Sequence, residues 1–206
     1  VAGAAAIAEE HGLALEVMPV PLMEHDVFLR NPSDRCYHCK KIAARCLKER
    51  AAGLGLAVVA DGTNLSDTRE HRPGLAAGNE EGIIHPFIEA GITKDDIRHI
   101  AKERGLSVWD KPSAACLASR IPYGEPITQE TLRRIEDAEA YLLDRGFLQS
   151  RIRTHGTLAR IEVCKDDLGR LFLIRQDVAK RLREIGFCYI TIDLDGYRSG
   201  SMDEVL

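Results

Sequence analysis

The order of helical and extended patterns changes once, at residues 122–126, where two prolines and a glycine interrupt the chain, and that change limits the folds open to it. Before the break the two patterns alternate. Residues 1–11 are helical in composition, and Gly12 stands at the cap position. Leu13, Leu15 and Val17 alternate with less apolar neighbours, as in a strand. Residues 31–34, with Pro32 inside, form a turn able to start a helix, and Ile42, Ala43, Cys46 and Leu47 mark that helix's stripe. Residues 56–60 read as a short buried strand running into a loop at Asp61 and Gly62. Thr93 is an N-cap for a helix through Arg104, closed by Gly105. Such alternation predicts an open α/β layer. Beyond the break, Thr128 caps a helix ending near Gly146, strands follow at 148–154 and 159–163, and a helical region leads to a last strand at 187–194. That is the order of a small α+β unit, so two domains are expected, 1–124 and 125–206.

Composition excludes several classes. Of 206 residues, 45% are hydrophobic and 29% charged, a balance able to bury a core. A net charge of −4 argues against a nucleic-acid surface. No apolar run approaches the roughly 20 residues that span a bilayer. The small apolar residues 1–7 follow no basic segment and lead into Glu9 and Glu10, unlike a secretory signal. Without an initiator Met the chain reads as a fragment. Six cysteines and no export signal predict a reducing compartment, the cytoplasm, with thiols as ligands, nucleophiles or core residues.

Three of those cysteines stand out. Cys36 and Cys39 form a Cys-x-x-Cys pair at a turn, where two thiolates can point at one metal and favour zinc or iron–sulfur clusters. A redox pair and an incidental pair remain alternatives. Cys116 lies in a turn region after Lys111 and Pro112. Three thiolates can hold three irons of a 4Fe–4S cluster and leave the fourth open, whereas structural zinc wants four ligands and no second Cys-x-x-Cys follows. A buried core thiol is the other reading of Cys116. Cys46 on its helical stripe, Cys164 at a strand end and Cys188, alternating with Ile190, Ile192 and Leu194, read as structural.

Charged residues add a second layer. Asp61, Thr63 and Asn64 follow an apolar strand, at the end where open α/β sheets bind ligands. Asp67 and Arg72 belong either to that site or to a polar turn. Glu139 falls among the apolar positions Leu132, Ile135 and Leu142 of one helix, so it must be paired, partly exposed, or raised in pKa. Arg151 and Arg153 project from one face of a strand and Ile152 from the other. Two adjacent guanidinium groups suit a phosphate, with a solvated strand face as the alternative. Arg198 is a further candidate for that anion site.

Residues 31–40, 61–77 and 111–124 together resemble the LarE family of ATP-dependent sulfur transferases, a branch of the PP-loop ATP pyrophosphatases. The similarity continues through 151–155, 159–162 and 193–200, and the run from Cys116 through Ser119, Arg120 and Tyr123 to Gly124 is its most specific part. The resemblance implies a partial PP-loop parallel-sheet domain (HUP-like, adenine nucleotide alpha hydrolase-like) followed by the small α+β domain. It implies adenylylation of a carboxylate of pyridinium-3,5-biscarboxylic acid mononucleotide and its conversion to a thiocarboxylate, for the nickel-pincer nucleotide cofactor. It assigns ATP with Mg2+ to Asp61, Thr63 and Asn64. It also assigns a 4Fe–4S cluster, with zinc as the alternative metal, to Cys36, Cys39 and Cys116. Catalytic roles fall to those cysteines and Glu139, and substrate-phosphate binding to Arg120, Arg151, Arg153 and Arg198. The implied partners are a small mononucleotide and further copies of the chain, with neither nucleic acid nor membrane. The family's Ser-Gly-Gly-x-Asp-Ser phosphate loop is absent, and Gly53 and Gly55 run too directly into a strand to replace it. The chain begins inside what resembles the family's second helix, so a truncated copy is expected. The competing readings are a tRNA-thiolating PP-loop enzyme, which should show a basic face, and a non-catalytic metal- or cluster-binding module.

Overall fold

The computed structural model describes residues 2–69, 72–111, 115–198 and 200–202. Helices α1 (Ala2–Glu10), α2 (Asp26–Leu29), α3 (Arg35–Gly53), α4 (Pro73–Glu80), α5 (Pro86–Glu89), α6 (Lys94–Glu103) and α7 (Gln129–Asp144) come first. Strands β1 (Ser150–His155) and β2 (Leu158–Val163), helices α8 (Leu168–Leu173) and α9 (Arg175–Ile185) and strand β3 (Tyr189–Ile192) follow. Gly12, at φ +61°, turns the chain out of α1 as expected. Thr93 caps α6 reciprocally: its hydroxyl accepts from the Asp96 N–H, and the Asp96 carboxylate accepts from the Thr93 N–H. The Thr128 hydroxyl starts α7 by accepting from the Thr131 N–H.

The sheet runs in the order β1-β2-β3. Strands β1 and β2 pair antiparallel with Ile152 opposite Ile161, and β3 returns parallel to β2 with Ile192 beside Ile161. A parallel return needs a crossover, which α8 and α9 supply. Leu142, Phe147, Ile152, Ile161, Leu171, Leu182 and Phe187 fill the layer between sheet and helices, each at most 2% exposed. At about 1.5–3 kcal/mol per buried large side chain, this layer is the main source of stability in the region.

A second, smaller cluster joins Phe28, Ala118, Ile121, Ile127 and Ile135, with Cys39 and Leu117 packed on it. It draws on residues from both sides of the 122–126 break. That break is not a free linker. Asn31 is fully buried at φ +53°, a conformation asparagine tolerates better than most residues, and its Nδ2 donates to the carbonyls of Ile121, Pro122 and Glu125.

Two expected strands are not formed. Leu13, Leu15 and Val17 are 61%, 48% and 60% exposed, and Leu56 and Val58 are each 58% exposed. Among the described residues the only bridge there is a parallel one between Ala60 and Ile84. Alternating apolar residues make a strand only where a neighbouring strand completes the backbone hydrogen bonds, and among the described residues nothing beyond that bridge does so here. The fold is therefore α/β in the coarse sense, mostly helices with one small mixed sheet, and the described ladder belongs wholly to residues 150–192. No helix of the described residues is long and apolar enough to cross a membrane. Val1, residues 112–114 and Ser199 lie outside the described residues.

Candidate functional site

One cavity of about 220 Å³ brings together Cys36, Arg120, Arg151 and Arg153 from among the residues singled out in the sequence. Its first wall is the start of α3, where Arg35 and Cys36 line it. Cys36 and Cys39 sit in the opening turns of this helix rather than in a turn before it, and their three-residue spacing places them on one helical face. Arg35 is only 4% exposed. Its Nη1 donates to Asn31 Oδ1 and to the Ala118 carbonyl, and its guanidinium lies 5.4 Å from the centre of the Tyr123 ring, which also lines the cavity.

The second wall is the tight turn 117–120 that follows Cys116. Arg120 is buried and makes a two-pronged pair with Glu139 of α7, at 2.8 and 2.9 Å. Its Nη1 also donates to the Cys116 carbonyl at 3.0 Å. Glu139 completes its coordination by accepting from the Ile152 N–H. The acid among apolar positions is thus paired, one of the outcomes the helix pattern allowed.

Strand β1 supplies the third wall. Arg151 and Arg153 both reach the cavity, while Ile152 packs in the core on the other face, as the alternation predicts. Arg153 donates from Nε to Glu162 at 3.0 Å and from Nη1 to the Ser119 carbonyl. Glu162 is fully buried and also accepts from Arg160 and from the Ser201 hydroxyl. Those bonds pin the segment that brings Tyr197, Gly200 and Met202 to the cavity. The Tyr197 ring lies 5.3 Å from the Arg151 guanidinium.

Electrostatics point to an anion here. Burial pushes the Arg153 guanidinium down; Glu162 opposes this, and the neighbouring charges of Arg120 and Arg151 push it further down. Cationic groups that repel one another in a half-closed cavity gain from a ligand of opposite charge. The Cys39 thiol is pushed up by burial and then by Cys116 and Cys36, against the opposing charges of Arg35 and Lys40. The three thiols therefore share one electrostatic neighbourhood. Cys36 and Cys116 are exposed and Cys39 is half-buried. Among the described residues, no group of three His, Cys, Asp or Glu side chains is placed to hold a metal ion.

Other expected residues lie apart from this cavity. Arg198 pairs with Asp193 and Asp195, 3.6 and 3.1 Å away, and is not among the described residues lining the cavity. Asp61 accepts from Lys40 Nζ at 2.6 Å and from the Thr63 N–H, and lies 2.6 Å from His85 Nδ1. Burial works against its ionisation, but the hydrogen bonds from Lys40, Thr63 and His85 outweigh it and hold the carboxyl well below the usual range. The side chain and N–H of Asn64 both bond Asp67, which also pairs with Arg72, so these residues close a polar turn. Cys46 is half-buried, and Cys164 contacts Gln149. Cys188 departs from its expected place: it precedes β3 and is exposed, as is Leu194 beyond the strand.

Arg35, Lys40, Tyr123, Glu162 and Tyr197 lie in the stretches that carry the resemblance, but the sequence reading gave none of them a role. The β1–β2 register sets Glu162 directly opposite Arg151 and diagonally from Arg153.

No family model matches the chain. It is 40% identical over 200 residues to an uncharacterized protein of Synechocystis, an alignment covering 95% of this chain and 74% of that protein. It is 34% identical over 194 residues to an uncharacterized protein of Methanocaldococcus jannaschii, covering 93% and 73%. With the pyridinium-3,5-bisthiocarboxylic acid mononucleotide synthase of Lactiplantibacillus plantarum it shares 36% identity over 203 residues, 98% of this chain and 74% of the synthase. Identity at that level along nearly the whole chain means that this protein belongs to the LarE family, the family of that synthase.

Proposed function

We propose that this chain converts a carboxylate of pyridinium-3,5-biscarboxylic acid mononucleotide to a thiocarboxylate in nickel-pincer nucleotide synthesis, after ATP-dependent adenylylation. The observation that carries this reading is the cavity in which the Cys36 thiol shares a lining with Arg35, Arg120, Arg151 and Arg153. In adenylylation the carboxylate oxygen attacks the α-phosphorus and pyrophosphate leaves, so a poor leaving group becomes AMP. A sulfur nucleophile then attacks the acyl carbon and AMP departs. Arg151 and Arg153 grip the mononucleotide phosphate, with guanidinium forks matched to its oxygens. Glu139 holds Arg120 in place, and Glu162 holds Arg153.

The cysteines suit a metal in kind. They are soft donors, and a bound cation would offset the mutual cost of ionising Cys39 beside Cys36 and Cys116. Together they would hold a 4Fe–4S cluster, with zinc as the alternative, and such a cluster would supply an open iron able to carry sulfur. Asp61, Thr63 and Asn64 belong to the nucleotide side, with Mg2+ on the ATP phosphates. In this reading residues 1–124 are part of a PP-loop parallel-sheet domain and 125–206 form the substrate domain.

The test uses anaerobically purified protein with mononucleotide, ATP, Mg2+ and sulfide, scoring thiocarboxylate by mass spectrometry and iron–sulfur absorption in the visible. Alanine at Cys36, Cys39 or Cys116 should remove both signals. Product at the wild-type level without the absorption would refute the cluster assignment.

A further inference from the structure

We infer that Arg35 is the residue that binds a ring carboxylate of the substrate and so selects carboxylated pyridinium mononucleotides over those with no carboxylate on the ring. The inference rests on the substrate reading above and assigns a part of it that the phosphate-binding arginines leave open.

The argument is one of charge accounting inside the cavity. Two of its buried arginines are matched to acids, Arg120 to Glu139 and Arg153 to Glu162. Arg35 is as deeply buried as they are, at 4% exposed, yet no acid pairs with it among the described residues. Among the described residues both of its side-chain hydrogen bonds leave from Nη1 and end on neutral acceptors, Asn31 Oδ1 and the Ala118 carbonyl. The Tyr123 ring offers only a quadrupole. A buried cation without a counter-charge is costly, and a protein keeps one where a ligand completes the pair. Arg35 also opens the 19-residue helix α3, whose dipole adds positive potential at the same place.

The chemistry left over selects the ligand. Nε and Nη2 of Arg35 make no hydrogen bond among the described residues, and together they form the two-donor edge that matches a carboxylate. A cavity with guanidinium groups on two different elements, α3 and β1, suits a molecule carrying anions at both ends. A mononucleotide with its phosphate on Arg151 and Arg153 would turn its ring carboxylate toward Arg35, the immediate neighbour of Cys36. The carboxylate to be activated is thereby presented beside the thiol-bearing turn.

The test is calorimetric titration without ATP, so that no reaction follows binding. The probes are pyridinium-3,5-biscarboxylic acid mononucleotide and nicotinamide mononucleotide, which shares the phosphate and ribose but carries an amide on the ring. The readout is the ratio of the two affinities within one sample, which partial misfolding cannot alter because it removes sites for both probes alike. Wild type should prefer the biscarboxylate, Arg35→Gln should lower that preference by about 10-fold, and Arg35→Lys should restore part of it. If Arg35→Gln does not fold, Arg35→Lys decides, with a preference below that of wild type expected. A ratio unchanged in both variants, or both affinities falling equally, overturns the inference while leaving the substrate reading intact. A wild-type protein with no preference for the biscarboxylate overturns the substrate reading, and the role of Arg35 with it.

Discussion

Two of the cavities among the described residues are opposite in character. The larger, about 690 Å³, opens between α8, α9 and the sheet and is walled by Ile161, Leu171, Val178, Ile190, Ile192 and Leu194, with Arg175 and Arg183 also in its lining. The smaller, about 220 Å³, brings four arginines, two tyrosines and a thiol together from α3, residues 119–123, β1 and the 197–202 segment. Volume alone would favour the first. Chemistry favours the second, because apolar walls only exclude water, whereas converging buried charges must be answered by a ligand or by one another. The large groove is the exposed side of the main hydrophobic layer, whereas the small cavity is a charge scaffold held by Glu139 and Glu162.

Substitutions can break this contrast. The largest effect is expected from Glu162→Ala, which leaves Arg153 buried without its partner and releases Ser201. It should cost about 3–5 kcal/mol in chemical denaturation and weaken mononucleotide binding together. A loss of stability with binding intact would detach the buried network from the cavity. Leu171→Ala, in the wall of the large groove and 1% exposed, should cost about 2–5 kcal/mol while leaving affinity within about 2-fold. An equal fall in affinity would show that the two cavities are coupled.

A smaller effect concerns Asp61, which lies outside both. Its folded carboxyl is held below the unfolded value, so the stability it provides is present above about pH 4 and lost as pH falls below that. Asp61→Asn should therefore be less stable than wild type at pH 7, and the gap should narrow between pH 4 and pH 2 in urea melts. A gap independent of pH would mean that the ion pair with Lys40 contributes nothing. The smallest effect is expected at the rim of the large groove: Phe172→Ser, 57% exposed, should stay within about 0.5 kcal/mol of wild type. A larger loss would mark that rim as covered in solution.

Local chemistry was legible in the sequence and long-range pairing was not. The caps at Thr93 and Thr128 and the turns at Gly12 and Gly146 each depend on a few adjacent residues, and they stand where the sequence puts them. The alternation of Arg151, Ile152 and Arg153 likewise assigned their faces. Leu13–Val17 and residues 56–60 show the limit, because their period-2 pattern is a statement about a neighbour that a single sequence does not name. Arg35 was invisible for a related reason. Its meaning comes from Asn31, Ala118 and Tyr123 closing around it, and two of those lie more than 80 positions away. Cys36, Cys39 and Cys116 could be marked as a group from residue type and the resemblance; their shared neighbourhood emerged only from packing.

Titrating pyridinium-3,5-biscarboxylic acid mononucleotide into wild type, Arg151→Gln and Leu194→Ser tests the central claim most directly, since the two variants touch one cavity each. Affinity should fall at least about 10-fold in Arg151→Gln and hold in Leu194→Ser. The opposite pattern, with Leu194→Ser impaired and Arg151→Gln unchanged, would place the ligand in the apolar groove and contradict the account.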